Sequence, residues 1–120
     1  MITGYDHVQV AIPSRSEAAA RDFYGTLLAM TEVPKPAALA GRGGCWFTSG
    51  AAMLHLGIET PFQPARKAHP AFVVDDVGAL ATRLLAAGHD CVWSDGELPG
   101  VRRFHAFDPY GNRIEFQQAS

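Results

Sequence analysis

Apolar and polar side chains alternate along the first strand-like segment, residues 5–12. Successive residues of a β-strand point to opposite faces of a sheet, so such alternation separates two faces. One face holds Val8, Val10 and Ile12, and the other holds His7, Gln9 and Ala11. The pattern predicts a strand that lies between an apolar core and a cavity.

A helical pattern follows this strand. Residues 14–17 have the Ser-x-x-Glu form of a capping box, in which a hydroxyl and a carboxylate accept hydrogen bonds from free amides at a helix start. The predicted helix runs to about Met30, with an apolar stripe made of Phe23, Tyr24, Leu27 and Leu28. Residues 34–44, rich in Pro and Gly, predict a loop with one short strand. Two further strands are predicted at 45–47 and 53–58.

The same order of elements then starts again. Residues 61–67 predict a linker, because two prolines and several polar residues interrupt the periodicity. Strands are predicted at 69–74, 90–93, 102–107 and 113–117, and a helix is predicted from Asp76 to the glycine at position 88. Each half therefore has the order β-α-β-β-β. The predicted fold class is α+β, with module 1 at about 1–60, the linker at about 61–67 and module 2 at about 68–120 of a single domain.

The repeat places metal-competent side chains at equivalent positions. His7 and His69 open the first strands of the two modules and stand 62 residues apart, while His55 and Glu115 lie on the last strands and stand 60 apart. A pseudo-two-fold pairing of the modules would bring the four together. Imidazole and carboxylate are ligands for Zn, Ni, Fe, Co or Mn. The metal ligands predicted are therefore His7, His55, His69 and Glu115, around one divalent ion of open identity.

The number of ligands decides between two chemistries. Four ligands leave two positions open on an octahedral ion, where adjacent oxygens of a substrate could bind for proton transfer. If His55 stays off the metal, His7, His69 and Glu115 form a 2-His-1-carboxylate set of the kind found in non-haem Fe(II) oxygenases. The sequence permits both.

Charge and composition exclude several classes of partner. The chain has 120 residues, with 10 Lys+Arg against 12 Asp+Glu, so no basic surface for nucleic acid or an anionic membrane is expected. No stretch approaches the roughly 20 apolar residues of a membrane span, and no secretion signal is visible. Cys45 and Cys91 are expected to be reduced thiols. We expect a cytoplasmic protein with a small-molecule substrate.

Several motifs together resemble one known superfamily. They are the paired modules, the Asp-His-Val-x-Val segment at 6–10, Phe23-Tyr24 in the helix and the Asp-Pro-x-Gly-Asn-x-Ile-Glu turn at 108–115. They are similar to the vicinal oxygen chelate superfamily, which comprises glyoxalases, bleomycin-resistance proteins and extradiol dioxygenases. The resemblance implies two modules that form an open, curved mixed β-sheet barrel around a metal with helices outside, and a homodimer. The position of His55 carries Glu in glyoxalase I and Gln in methylmalonyl-CoA epimerase, so neither activity follows directly.

The functional prediction is a metal-dependent lyase or isomerase of glyoxalase type. The alternatives are an Fe(II) extradiol-type dioxygenase and a metal-free protein that binds a bleomycin-like drug. By strand alternation, His105 is expected to face the cavity as a general acid or base, and Trp46 is expected to pack against a helix. The predicted substrate pocket is lined by Gln9, Phe47, Met53, Arg103 and Phe107.

Overall fold

The chain forms two compact units, Met1–Pro64 and Ala65–Ser120. A computed structural model describes residues 1–119, and the boundary between the units falls inside the predicted linker at 61–67. No helix among the described residues is long and apolar enough to cross a membrane.

The first unit is a four-stranded sheet in the order β1-β4-β3-β2. Strands β1 and β4 are parallel, and the other pairs are antiparallel. The elements are β1 (Val8–Ile12), α1 (Glu17–Ala20), a π-helical continuation of α1 (Arg21–Leu27), β2 (Thr31–Val33), α2 (Ala37–Ala40), β3 (Cys45–Ser49) and β4 (Ala52–Ile58).

The second unit repeats this arrangement in the order β5-β8-β7-β6, again with the outer pair β5 and β8 parallel. Its elements are β5 (Ala71–Val74), α3 (Val77–Ala86), β6 (Val92–Trp93), β7 (Arg103–Phe107) and β8 (Arg113–Gln118). Two tandem βαβββ modules of the α+β class are therefore confirmed.

Each unit buries one face of its sheet. The buried apolar side chains of the first unit include Ile12, Phe23, Tyr24, Cys45, Phe47, Leu54 and Leu56; those of the second include Val77, Ala81, Leu84, Phe104, Ala106, Ile114 and Phe116. In both sheets the core residues alternate with polar ones, as period-two strands require. The opposite face carries the buried polar side chains His55, His105 and Glu115.

Two local predictions for the first unit are wrong. The short strand lies at Thr31–Val33 and not within residues 34–44, where the chain instead forms α2. The capping box at residues 14–17 is not formed either, because Ser16 is the N-cap residue and its hydroxyl donates to the Pro13 carbonyl at 2.6 Å. The Glu17 carboxylate accepts a hydrogen bond from the Gly44 amide at 3.0 Å.

Helix α3 has the caps that its sequence predicts. The Asp76 carboxylate accepts from the Ala79 amide at 2.9 Å, and Gly88 follows the helix with φ of +88°, the left-handed conformation typical of a C′ glycine. A side chain from β8 adds a further cap, since the Val77 amide donates to Gln118 Oε1 at 2.6 Å. The helix is thereby attached to the strand that carries Glu115.

Candidate metal centre

The register of the second sheet brings Glu115 and His105 side by side. His105 on β7 is the direct cross-strand partner of Glu115 on β8. On the other side of β8, the Glu115 amide donates to the Pro70 carbonyl at 3.0 Å. That bond fixes the residue next to His69 against the same strand. Three side chains from separate segments therefore converge on one face of the sheet.

The turn before β8 holds this strand in place. Asp108 and Asn112 are both buried, and Asp108 Oδ1 accepts from the amides of Tyr110 at 3.0 Å and Asn112 at 2.8 Å. The Asn112 side chain donates to Asp108 Oδ2 at 2.9 Å and accepts from the Ala65 amide at 2.9 Å. The Asp-Pro-x-Gly-Asn segment thus joins the start of the second unit to the strand that delivers Glu115.

Three nitrogen atoms approach a single oxygen of Glu115. Oε1 lies 3.0 Å from Nε2 of His69, 3.2 Å from Nε2 of His105 and 3.2 Å from Nη1 of Arg103. The other oxygen accepts from Nε2 of Gln117 at 2.6 Å. His69, His105 and Glu115 each offer a ligand atom, and these atoms lie within 4.8 Å of one another.

The contacts of His69 fit a cation at this position. Its Nδ1 lies 2.7 Å from the carbonyl oxygen of Lys67, and because a carbonyl can only accept, Nδ1 carries a hydrogen. In the neutral ring, Nε2 then presents a lone pair to the Glu115 carboxylate. Two electron-rich atoms 3.0 Å apart require a proton or a metal ion between them or beside them. The side chains present therefore fit a divalent metal, with His69 oriented by a backbone carbonyl as metal-ligating histidines usually are.

Glu115 is held as a carboxylate. Burial alone would raise its pKa. In the metal-free protein, the hydrogen bonds from Gln117, from His69 with a hydrogen on Nε2, and from Arg103 outweigh that effect and lower the pKa from 4.5 to about 2. A ligand of this kind is already deprotonated at neutral pH, so no proton must be removed before a metal binds.

His105 is held as a neutral imidazole. Burial lowers its pKa below the usual value of 6.5, and the positive charge of Arg113 adds to that effect. A neutral ring has one nitrogen with a free lone pair. His105 can therefore serve as a metal ligand or accept a proton at neutral pH.

The other two predicted ligands lie together in the first unit. The rings of His7 and His55 are stacked with centroids 3.9 Å apart, and Trp46 stacks on His55 at 3.7 Å. Burial lowers the pKa of His55, with a further contribution from His7. Nδ1 of His7 lies 2.8 Å from Asp6 Oδ2, an arrangement that leaves Nε2 of His7 as its free nitrogen.

The predicted pocket residues divide by sheet face. Gln9 is paired with His55 in the register of β1 and β4, and Met53 shares a face with His55. Arg103 and Phe107 share a face with His105 on β7. Phe47 lies on the opposite face of β3, fully buried, with its ring centroid 6.1 Å from that of Tyr24. Its placement in the core gives no support to a role in the pocket.

One residue at the candidate site, Trp46, was not foreseen. Trp46 stacks on His55, although the prediction placed it against a helix; the register of β3 opposite His55 is the signal that would have located it. Gln117 contacts Glu115 directly, and its spacing of two residues along β8 puts it on the same face.

Comparisons with known proteins agree on one superfamily. The sequence model of the Glyoxalase/Bleomycin resistance protein/Dioxygenase superfamily matches residues 4–116. A glyoxalase family protein from Bacillus anthracis is 46% identical, with a TM-score of 0.94 over 100% of this chain and 98% of that one. The comparison with curated proteins gives no match.

More distant structures share the fold alone. The genomically encoded fosfomycin resistance protein FosX from Listeria monocytogenes is 15% identical, with a TM-score of 0.78 over 100% of this chain and 96% of that chain. A glyoxalase/dioxygenase from Nostoc punctiforme is 23% identical, with a TM-score of 0.75 over 96% of this chain and 90% of that chain.

Proposed function

The chain belongs to the Glyoxalase/Bleomycin resistance protein/Dioxygenase superfamily, and on that basis we propose that it is a divalent-metal-dependent lyase or isomerase. The observation that carries the proposal is the pairing of His69 Nε2 with Glu115 Oε1 at 3.0 Å, with the His105 imidazole beside them; the three side chains place one ligand atom each within 4.8 Å of the others. The substrate in this proposal is a small molecule with adjacent oxygens.

A bound divalent ion would polarise those oxygens and stabilise negative charge that develops on them. His69 and Glu115 hold the ion in this proposal, and His7 and His55 of the first unit remain proposed ligands. Gln117 orients the second carboxylate oxygen of Glu115 through its 2.6 Å hydrogen bond.

His105 is the proposed general base. Burial keeps its imidazole neutral at pH 7, so one nitrogen can accept a proton from a carbon next to the bound oxygens and return it elsewhere on the substrate. In that case His105→Gln lowers kcat and leaves metal affinity nearly unchanged.

Metal titration tests the proposal directly. Purified apoprotein is titrated with Zn²⁺, Ni²⁺, Co²⁺, Mn²⁺ and anaerobic Fe²⁺, and bound metal is measured by calorimetry and elemental analysis. We expect one ion per chain and a loss of binding in His69→Ala and Glu115→Gln. His89→Gln is the matched control, since it removes an imidazole outside the group. A wild-type protein that takes up none of these ions contradicts the proposal. Separate His7→Ala and His55→Ala titrations decide whether these two residues contribute.

A second candidate, an Fe(II) dioxygenase, is favoured by the composition of the same group. Two histidines and one carboxylate are the ligand set of many non-haem Fe(II) oxygenases, and His69, His105 and Glu115 supply them without the first unit. Oxygen uptake by the iron-loaded protein with a catechol distinguishes the candidates, because proton transfer consumes no oxygen. Under this second candidate His105→Gln abolishes iron binding.

A metal-free binding protein is the third outcome that these titrations can return. Affinity for a drug of the bleomycin class that persists in the presence of a chelator would favour it over either enzyme.

We also propose a homodimer, which sedimentation of the purified protein over a range of concentrations tests.

A further inference from the structure

Arg103 has a contact pattern that neither the fold nor a metal explains. Its side chain is only 16% exposed, and it extends from β7 on the same face as His105. Nη1 lies 3.2 Å from Glu115 Oε1, and Nη2 lies 2.7 Å from Glu97 Oε2. The third nitrogen, Nε, is buried without a hydrogen-bond partner among the described residues.

Arg21 shows how the Nε–Nη2 edge of a guanidinium can bind a carboxylate. Nε and Nη2 of Arg21 bind the two carboxylate oxygens of Glu32 at 2.8 and 3.2 Å, the side-on bidentate geometry that matches an oxyanion. Among the described residues, the same edge of Arg103 holds a single contact, from Glu97. The Glu97 side chain is 65% exposed, so it can leave this contact for water at little cost.

The charges near Glu115 also favour an anionic ligand beside Arg103. A divalent ion on Oε1 of Glu115 would lie close to the guanidinium that contacts that oxygen, and two cations repel each other across so short a distance. An anionic group that contacts both cations removes the repulsion. It also supplies the acceptor that Nε lacks, because a carboxylate or phosphonate can take the Nε–Nη2 edge with two oxygens.

We propose that Arg103 is a substrate-binding residue and that the substrate carries an oxyanion, either a carboxylate or a phosphorus oxyanion, beside the oxygens that the metal holds. The substrate anion replaces Glu97 on the Nε–Nη2 edge. This proposal rests on the metal-dependent function proposed above and names the charge of its substrate.

Calorimetric binding of matched small probes to the Zn²⁺-loaded protein tests it. Glycolate and glycolamide both offer two adjacent oxygens, but only glycolate is an anion; methylphosphonate represents phosphorus oxyanions. We expect wild-type protein to bind one of the anions at least about tenfold more tightly than glycolamide, as hydrogen bonds to charged groups allow. The preferred anion identifies the oxyanion class.

The variants have effects of opposite sign. Arg103→Gln should bind the preferred anion several-fold more weakly than wild type while it retains zinc and its affinity for glycolamide. Arg103→Lys, which keeps the charge without the fork, should show a smaller loss. Glu97→Gln should tighten anion binding several-fold, because it removes the competing carboxylate. Arg102→Gln is the control: this neighbouring arginine contacts Asp95 and the Trp93 ring, and its loss should leave the preference unchanged.

Three results overturn different claims. If Arg103→Gln binds zinc and still prefers the anion as wild type does, Arg103 does not bind substrate and the metal-dependent function stands. If wild-type protein binds no metal, both proposals fail. Equal affinity of the zinc-loaded wild type for glycolamide and for both anions contradicts an anionic substrate.

Discussion

The two modules place different residues beside their last-strand candidate ligands. In the first, the cross-strand partner of His55 is Trp46, and in the second the cross-strand partner of Glu115 is His105. The first pair is a flat aromatic stack with centroids 3.7 Å apart. The second belongs to a charged network in which one carboxylate oxygen meets three nitrogens. The same backbone frame therefore supports two kinds of chemistry.

The difference shows how a repeated module diverges without a change of fold. Strand order and pairing are the same in both units, and the buried faces are apolar in both. Side chains on the opposite face lie outside the apolar core, so they can differ between the modules while the core and the strand order stay the same. Positions 46 and 105 are equivalent in register, yet one extends an aromatic stack and the other supplies a third candidate ligand.

The largest expected effect comes from Gly44, which precedes β3 in the first module. A Cβ at this residue would lie 2.0 Å from the Leu56 carbonyl oxygen, and its φ is +78°. Gly44→Ala should separate β3 from β4, disrupt the Trp46–His55 stack and cost about 4 kcal/mol. Urea unfolding measures the loss. Gly50→Ala is the control, because φ there is +54° with nothing within 4 Å; it should cost only about 1 kcal/mol. Equal losses would show that close approach to Leu56 is unimportant.

Substitution of Asn112 is the corresponding stability test in the second module. Asn112→Ala removes the side chain that contacts Asp108 and the Ala65 amide and leaves buried polar groups without partners, at a cost of about 3 kcal/mol. Thr48→Val, before the turn of the first module, removes one hydrogen bond to the Ala52 carbonyl and should cost about 1 kcal/mol. Urea unfolding of both variants compares the turns. A smaller loss for Asn112→Ala than for Thr48→Val would contradict the role of Asn112 in holding the turn before β8.

Acid unfolding distinguishes the contribution of Glu115 to stability from the contribution of the histidines in the first module. The pKa of Glu115 is about 2 in the fold against 4.5 for the ordinary group, so its contribution is present above pH 4.5 and is lost as pH falls toward 2. We expect metal-free wild type to lose on the order of 2 kcal/mol through this window. Glu115→Gln should lack that loss and His55→Gln should retain it. An unchanged acid limb in Glu115→Gln would contradict the assigned pKa.

The smallest expected effect is a pH-dependent change in Trp46 fluorescence. Burial lowers the pKa of His55, and Trp46 stacks directly on its ring. Trp46 fluorescence, recorded in Trp93→Phe protein without metal, should change with a midpoint below pH 6.5 as His55 gains a proton. Adding His55→Gln to the Trp93→Phe protein should abolish this fluorescence transition. A midpoint above 6.5 would mean that the stacked ring is favoured as a cation.

Strand alternation was sufficient to predict most of the framework. The faces of β1, β7 and β8 follow from period-two patterns, and the Asp76 cap and Gly88 follow from local chemistry. The Ser-x-x-Glu pattern failed because Glu17 accepts a hydrogen bond from Gly44, 27 residues away in sequence. A local rule contains no information about such a distant partner.

The candidate site was predicted in part for the same reason. Repeat spacing selected His69 and Glu115 as candidates, and alternation predicted one shared face for Arg103 and His105. The convergence of three nitrogens on one oxygen depends on the register between β7 and β8 and on the turn at 108–112. Register depends on pairing across the sheet, which the order of residues in one strand does not specify.

Each module contains one cysteine, so alkylation of the two thiols can report the local opening of each module separately. Cys45 lies in the first unit with a side chain almost wholly buried, and burial raises its pKa to about 11; Cys91 lies in the second and is only partly buried. A thiolate forms at Cys45 chiefly when β3 opens to solvent. The rate of alkylation at each thiol, resolved by peptide mass, would therefore time the exposure of one module independently of the other.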